Sequence, residues 1–221
     1  MHGRRRVGET LGEAVAYTIE DTITINDYSA NGYTFNGWEI VSVENGNWTQ
    51  NGVLQPGDVD ANTYYGNIQL QPMLTPIEYT VNFVPNGGTI IPAKSYTIET
   101  SDYVLPGSEK TGYDFAGWKV TSASGSWTEN AVFEAGDSVE GKYGTVTLTA
   151  TWTPKKYDIT YIVGNTDLYP DGITKEGTYA QTAPDLTDAE KAKPSDAQYD
   201  YTFEGWSPAL TTVTGEKTYT A

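Results

Sequence analysis

Apolar and polar residues alternate over several short stretches of the chain, and this alternation predicts β-strands. Every second residue is apolar in Tyr79–Phe83 and in Val146–Trp152, which is the period of a strand with one buried face. Ile68–Leu74 and Tyr157–Tyr161 show a similar period. Groups of Asn, Gly, Pro and Ser between these stretches have the chemistry of turns. The pattern therefore indicates a mainly β protein built from short strands.

One stretch, Thr187–Ala192, predicts a helix instead. Thr187 and Glu190 have the spacing of a capping box, in which each residue satisfies a backbone N–H of the other. Pro194 would end the helix soon afterwards. The helix would be a short addition to the β framework.

A longer pattern, Tyr-x-Phe-x-Gly-Trp, occurs three times and divides the chain into modules. Trp38 and Trp118 end the first two copies 80 residues apart, and a further pair, Trp48 and Trp127, is separated by 79 residues. The third copy ends at Trp206. Recurrence at such a period is typical of one structural unit copied in tandem. We predict that each copy lies on a strand, with its Trp as a core anchor and its Gly as a kink or close backbone approach.

The repeats predict three modules preceded by a leader or cloning remnant at residues 1–16. Module 1 covers residues 17–76, and its first strand is absent or replaced by residues 7–16, so its sheet should have an unpaired edge or borrow cover. Module 2, residues 77–154, is complete. Module 3, residues 155–221, is a variant with an insert and a shortened C-terminal part.

The joints between modules contain Pro76 and Pro154 and almost no Gly or Ser. Flexible linkers are rich in Gly and Ser, so these short joints favour a semi-rigid, elongated arrangement. At about 30 Å for each module, three modules would span on the order of 90 Å.

The charge of the chain restricts its partners. It has 29 acidic and 13 basic residues, a net charge of −16, and all its Arg and His lie in the first six positions. Phosphate recognition needs cationic donors, so we expect neither nucleic acid nor an anionic membrane surface as a partner. No apolar run approaches the roughly 18 residues of a membrane-spanning helix. We expect a monomer that does not insert into membranes.

The residue types exclude most catalytic chemistry. The chain has no Cys, and its only His is His2, so Ser-His-Asp and Cys-His sites cannot be built beyond the first residues. The acidic run Asp58-Val-Asp60-Ala-Asn62 resembles the start of a calcium loop but lacks the Gly and Glu that an EF-hand requires. We predict no catalytic residue, cofactor or metal. Only a carboxylate pair of the glycosidase kind is compatible with the composition.

Trp48 and Trp127 are the candidate ligand contacts. Each follows a polar loop and precedes Thr. Their indoles could cover the second face of the sheet, or they could stand exposed and stack against a carbohydrate. Packing is the favoured interpretation, and ligand contact is the alternative.

The ordered motifs Tyr79-Thr-Val-Asn-Phe83, Tyr113-Asp-Phe-Ala-Gly-Trp118, Trp127 and Thr145-Val-Thr-Leu-Thr-Ala-Thr-Trp152 together resemble the Listeria–Bacteroides repeat, the B-repeat of internalins. The resemblance implies tandem β-grasp-like modules, of mainly β or α+β class, on extracellular or wall-attached bacterial proteins. It carries no catalytic residues.

The resulting hypothesis is a non-enzymatic stalk or adhesin segment that presents an adhesive domain. The alternative is a module that binds a host protein or glycan directly. A carboxylate-pair glycosidase fragment is the third possibility.

Overall fold

The computed structural model describes residues 14–164 and 168–221. It is mostly β, with 42% of residues in strands and 3% in helices, which confirms the predicted mainly β class. The chain divides into two compact units, the first ending at Glu78 and the second running Tyr79–Ala221. Most of the predicted leader, residues 1–13, lies outside the described residues. The three predicted module boundaries stay a prediction.

The first unit contains two small antiparallel sheets. In the larger sheet the order is β3-β2-β5, and β2 pairs with β5 from Tyr33 opposite Pro76 to Glu44 opposite Asn67. In the smaller sheet β1 pairs with β4. A 3₁₀ turn, Ala61–Thr63, precedes the last strand. The strands are β1 Thr22–Ile25, β2 Tyr33–Glu44, β3 Val53–Leu54, β4 Gly57–Asp60 and β5 Asn67–Pro76.

Module 2 forms a five-stranded mixed sheet at the start of the second unit. Its order is β7-β6-β10-β8-β9, with β6 parallel to β10 and the other neighbours antiparallel. Because apolar residues alternate in β6 and β10, Val81, Val146 and Leu148 are buried in one core together with Trp118. The strands are β6 Tyr79–Val84, β7 Lys94–Tyr96, β8 Tyr113–Ala123, β9 Val132–Phe133 and β10 Val146–Pro154.

The finer β-grasp assignment stays a prediction. Residues 97–112 join β7 to β8 through turns and isolated bridges at Val104 and Lys110, and they form no helix. The parallel pairing of the first and last strands is nevertheless established in this module.

Module 3 has a separate three-stranded sheet and its own core. The order is β12-β11-β13, and β11 is parallel to β13. Helix α1 begins at Asp188, and both halves of the capping box between Thr187 and Glu190 are formed, which confirms the predicted helix. The elements are β11 Lys156–Ile162, β12 Ile173–Thr178, α1 Asp188–Lys191 and β13 Lys217–Thr220.

The third copy of the repeated phrase, residues 201–206, is not a strand, so that prediction was wrong. Only one bridge follows it, between Ser207 and Thr220. Pro208 has no N–H to continue the ladder. The facing strand β13 also has four residues, whereas β10 has nine, so most of the phrase has no partner to pair with.

Candidate functional site

The Gly-Trp pair of module 2 is a structural anchor. Trp118 is 0% exposed, and its indole N–H donates to the carbonyl of Pro106 at 2.7 Å. Phe83 and Phe115 meet its ring edge-on, with centroids 4.9 and 5.2 Å away. The prediction of a core anchor is confirmed here. Trp38 makes the equivalent hydrogen bond to Asn26 at 2.8 Å but is only partly buried.

The glycine before Trp118 is required by close backbone approach. Gly117 has φ +106, and a Cβ there would lie 2.8 Å from the carbonyl oxygen of Phe133 on the neighbouring strand. A side chain would therefore separate β8 from β9, which confirms the predicted close approach.

The candidate ligand contacts lie in the interior. Trp48 and Trp127 are each 6% exposed. Their indole N–H groups donate to the hydroxyls of Tyr17 at 2.8 Å and Tyr96 at 2.7 Å. Those hydroxyls donate in turn to the backbone carbonyls of Gly66 at 2.8 Å and Gly144 at 2.5 Å.

Neither indole presents an open face on which a sugar could stack. Trp48 is already stacked on Tyr64 at 4.2 Å, and Trp127 meets Phe133 edge-on at 5.2 Å. This geometry favours the packing interpretation. Burial raises the pKa of Tyr96 by disfavouring its charged form.

The insert of module 3 contributes a carboxylate to the third Trp. The indole N–H of Trp206 donates to Asp185 at 2.7 Å, where modules 1 and 2 use a backbone carbonyl. Lys191 donates to the other carboxylate oxygen of Asp185 at 2.7 Å. Partial burial opposes ionisation of Asp185, but the hydrogen bonds from Lys191 and Trp206 outweigh it and lower its pKa.

Among the carboxyl groups of this insert, that of Glu190 has the largest pKa shift. Its hydrogen bond from Lys175, 2.6 Å long, and those from the Thr187 backbone and hydroxyl lower its pKa to about 2. Asp185 and Glu190 are thus each ion-paired with a lysine. Carboxylates held in this way cap a helix and stabilise an insert, and neither has the raised pKa of a general acid.

The joint between modules 2 and 3 is closely packed. Strand β10 ends at Pro154 and β11 begins at Lys156, so a single residue, Lys155, separates them. The N–H of Lys155 donates to the carbonyl of Gly112, and its own carbonyl accepts from Tyr179, both at 2.9 Å.

Tyr179 covers this joint. Its ring lies over Gly112, where a Cβ would come within 2.2 Å of the ring. It also meets Tyr113 edge-on at 5.3 Å. The glycine therefore makes room for an aromatic residue of the next module.

The first unit differs from module 2 beside strand β5. Tyr17 makes the hydrogen bonds that Tyr96 makes in module 2, so the segment around Tyr17 occupies the place of strand β7. Among the described residues no strand takes the place of β6, and the outer edge of β5 has no partner strand. Within the described ranges the outer edge of β5 is therefore unpaired, whereas most of the segment 7–16 that was predicted to replace the first strand lies outside them.

A cavity of about 670 Å³ lies at this edge, between the segment around Tyr17 and β5. It is lined by Ala14–Ile19, Ser42, Glu44 and Tyr65–Gln69. This cavity was not predicted from the sequence. One signal was available, because Ala14-x-x-Tyr-Thr-Ile-Glu20 repeats Ala93-x-x-Tyr-Thr-Ile-Glu99.

Residues 14–164 and 168–221 contain no group of three or more metal-ligating side chains. Over the same ranges no helix combines the length and apolar character needed to cross a bilayer.

Comparison with known families supports the resemblance found in the sequence. A model of the Listeria-Bacteroides repeat domain matches residues 79–140, which cover β6 to β9 of module 2. This repeat family is typical of bacterial surface proteins. A comparison with curated proteins gives no match.

Proposed function

We propose that this chain is a non-enzymatic spacer segment of a bacterial surface protein, which holds an adhesive domain away from the cell. The observation that carries the proposal is the joint between modules 2 and 3. One residue connects their sheets, and two backbone hydrogen bonds fix that residue to both modules. A spacer needs joints that resist bending.

The contacts at the joint are of the kind that resist rotation between modules. An edge-on aromatic pair such as Tyr113 with Tyr179 contributes about 0.5–1.5 kcal/mol beyond its buried area. The ion pair between Lys155 and Asp114, at 3.6 Å, is solvent-exposed and adds at most about 1 kcal/mol. The stiffness of the joint would come mainly from the Tyr179 ring over Gly112 and from the two backbone hydrogen bonds of Lys155.

The charge and the residue types also support a spacer. A net charge of −16 makes copies of the chain repel one another, which favours an extended monomer on a crowded surface. Among the described residues the carboxyl with the largest pKa shift is that of Glu190, whose pKa is lowered and which caps a helix. A spacer needs no reactive group, and we propose that the chain has no enzymatic activity.

Direct binding of a host protein is the second candidate function. The buried state of Trp48 and Trp127 gives no support to a glycan platform. The edge of β5 has no partner strand among the described residues, and such an edge favours a protein partner, because it can accept a strand through backbone hydrogen bonds. A glycosidase fragment has no specific observation in its favour.

Small-angle X-ray scattering of the whole chain tests the spacer proposal. The expected maximum dimension is on the order of 90 Å for three modules in a row. The Tyr179→Ala variant should scatter as a more flexible particle, because the joint loses its covering ring. A maximum dimension close to that of one compact globule would contradict the proposal, as would identical flexibility in the two proteins.

A further inference from the structure

The first and last strands of module 2 are neighbours in one sheet and run parallel to each other. Strand β6 opens the module at Tyr79, and β10 closes it at Pro154. Their register pairs four consecutive residues of each strand, starting with Val81 opposite Val146. Because both strands point the same way, the residue at which the chain enters the module and the residue at which it leaves lie at opposite ends of the pair.

This arrangement decides how a pulling force acts on module 2. A pull on the two ends of the module slides β6 along β10, so the hydrogen bonds between the strands are strained together. If both ends lay on the same side of the pair, the strands would separate from that side and the bonds would break one after another. The number of hydrogen bonds that must break in the rate-limiting step is therefore larger in the sliding direction, and unfolding is slower.

Side-chain hydrogen bonds extend the connection beyond the paired residues. The side-chain amide of Asn86 donates to the carbonyl of Ala150 at 3.0 Å. The indole N–H of Trp152 donates to the carbonyl of Pro85 at 3.3 Å. Both bonds join β10 to the segment that directly follows β6, so a pull that slides the two strands strains these bonds as well.

Burial shields the inner face of the strand pair from water. Val81 on β6 and both Val146 and Leu148 on β10 are 0% exposed. Phe83 on β6 also packs edge-on against Trp118, with ring centroids 4.9 Å apart. Hydrogen bonds beside such a core lie in a medium of low dielectric constant, where they are electrostatically stronger than in water. Water also cannot easily replace a strained bond from this side.

We propose that the pair of β6 and β10 is a mechanical clamp, which keeps module 2 folded while the chain is under tension. This role rests on the spacer proposal, because a spacer between an anchored cell and a bound adhesive domain is pulled at both ends. The clamp itself is a property of module 2 alone and does not involve the contacts of the joint at Lys155. The two proposals can therefore fail independently.

Single-molecule force spectroscopy of the full chain tests the clamp, with introduced cysteines as attachment points, since the chain has no Cys. One sample carries Glu78→Cys and Thr153→Cys, and its attachment points slide the strands along each other. The matched sample carries Glu78→Cys and Thr145→Cys, and its attachment points separate the strands from one end, because Thr145 directly precedes β10. All three positions are exposed, so the cysteines leave the core unchanged.

The expected result is a higher unfolding force, at the same loading rate, for the sample attached at Glu78→Cys and Thr153→Cys. The physical reason is that its hydrogen bonds are strained together, whereas those of the matched sample are strained in sequence. The sequence and the core of module 2 are otherwise the same in both samples, so a difference in force reports the direction of the pull.

Two alanine variants test the side-chain part of the clamp in the sliding geometry. Asn86→Ala removes the amide that reaches Ala150. Asn130→Ala is its matched control in the same module, because both asparagines have positive φ, 48 and 64, and Asn130 is exposed. At a fixed force Asn86→Ala should unfold about two- to tenfold faster than Asn130→Ala, which is the change expected when one hydrogen bond that breaks in the transition state is removed.

Two outcomes would overturn the proposal. Equal unfolding forces in the two geometries would mean that the direction of the pull relative to β6 and β10 has no effect. Equal unfolding rates of the folded Asn86→Ala and Asn130→Ala proteins would mean that the connection between these strands is not what resists the force. Neither outcome changes the expected scattering of the whole chain, so the spacer proposal would still stand on its own test.

Discussion

At the scale of single side chains, the first two modules share a hydrogen-bonded pair of tyrosine and tryptophan. In both of the first two modules a Tyr hydroxyl bridges an indole N–H to the carbonyl of a turn glycine. An indole can be buried only if its N–H finds an acceptor, and here the hydroxyl supplies it. The Trp–Tyr–Gly link therefore explains why these indoles can be core residues.

Replacing Tyr96 with Phe should destabilise module 2 by about 1–3 kcal/mol, because the indole N–H of Trp127 loses its buried acceptor. Tyr17→Phe is the matched variant of the first unit, and it should cost less because Tyr17 is only partly buried and water can replace the hydroxyl. Native-state hydrogen exchange resolves the two units. Equal effects in both would contradict the explanation.

Trp118→Ala should cost about 3–5 kcal/mol, since it empties the centre of the core of module 2. The control is Trp206→Ala, which removes a partly exposed ring and should cost clearly less. The free energy of unfolding is read from the exchange of amides in β10 for the first variant and in β11 for the second. A folded Trp118→Ala protein with unchanged protection would refute the anchor role.

At the scale of elements, the sequence predicted what periodicity and capping can encode. The alternation gave β6, β10 and β11, and the spacing of Thr187 and Glu190 gave α1. It failed for residues 201–206, because a strand also needs a neighbour and Pro208 interrupts the ladder. Periodicity also cannot reveal the cavity beside β5, because the cavity depends on how separate segments of the chain pack.

The stability that the capping box gives to α1 should depend on pH in a defined range. Glu190 has a folded-state pKa of about 2, below its ordinary value of 4.5. Its stabilising effect is therefore complete above pH 4.5 and is lost as the pH falls towards 2. Carboxyl NMR of the whole chain should place the titration midpoint of Glu190 near 2.

Two variants isolate the cause of this shift. Lys175→Met removes the largest contribution and should move the midpoint of Glu190 towards 4.5. Glu190→Gln keeps a residue that completes a capping box without a charge, so the exchange protection of α1 should become independent of pH in that window. A midpoint that does not respond to Lys175→Met would contradict the assignment.

At the scale of the whole molecule, the joint in Tyr79–Ala221 makes two repeats into one compact unit. A glycine of module 2 and an aromatic residue of module 3 are complementary in shape at this joint. Repeat proteins derive part of their stability from such nearest-neighbour contacts. The sequence predicted a stiff joint from its length and its Pro, but the partner of Gly112 could be found only from the structure.

Gly112→Ala should loosen this joint, and Gly141→Ala is its matched control. Both glycines have positive φ, +78 and +69, so each substitution carries a backbone cost of about 1–2 kcal/mol. A Cβ at Gly141 meets nothing within 4 Å, whereas one at Gly112 collides with the ring of Tyr179. The excess cost of Gly112→Ala over Gly141→Ala therefore measures the packing of one module on the next.

A double-mutant cycle with Tyr179→Ala decides whether that excess belongs to the joint. If the ring is the obstacle, Gly112→Ala should cost no more than Gly141→Ala once Tyr179 is shortened. Residual dipolar couplings of β10 and β11 should then fit one common alignment in the unmodified chain and two in the variants. A persistent excess in the Tyr179→Ala background would mean that Gly112 serves module 2 alone, and the spacer proposal would lose the contact on which it depends.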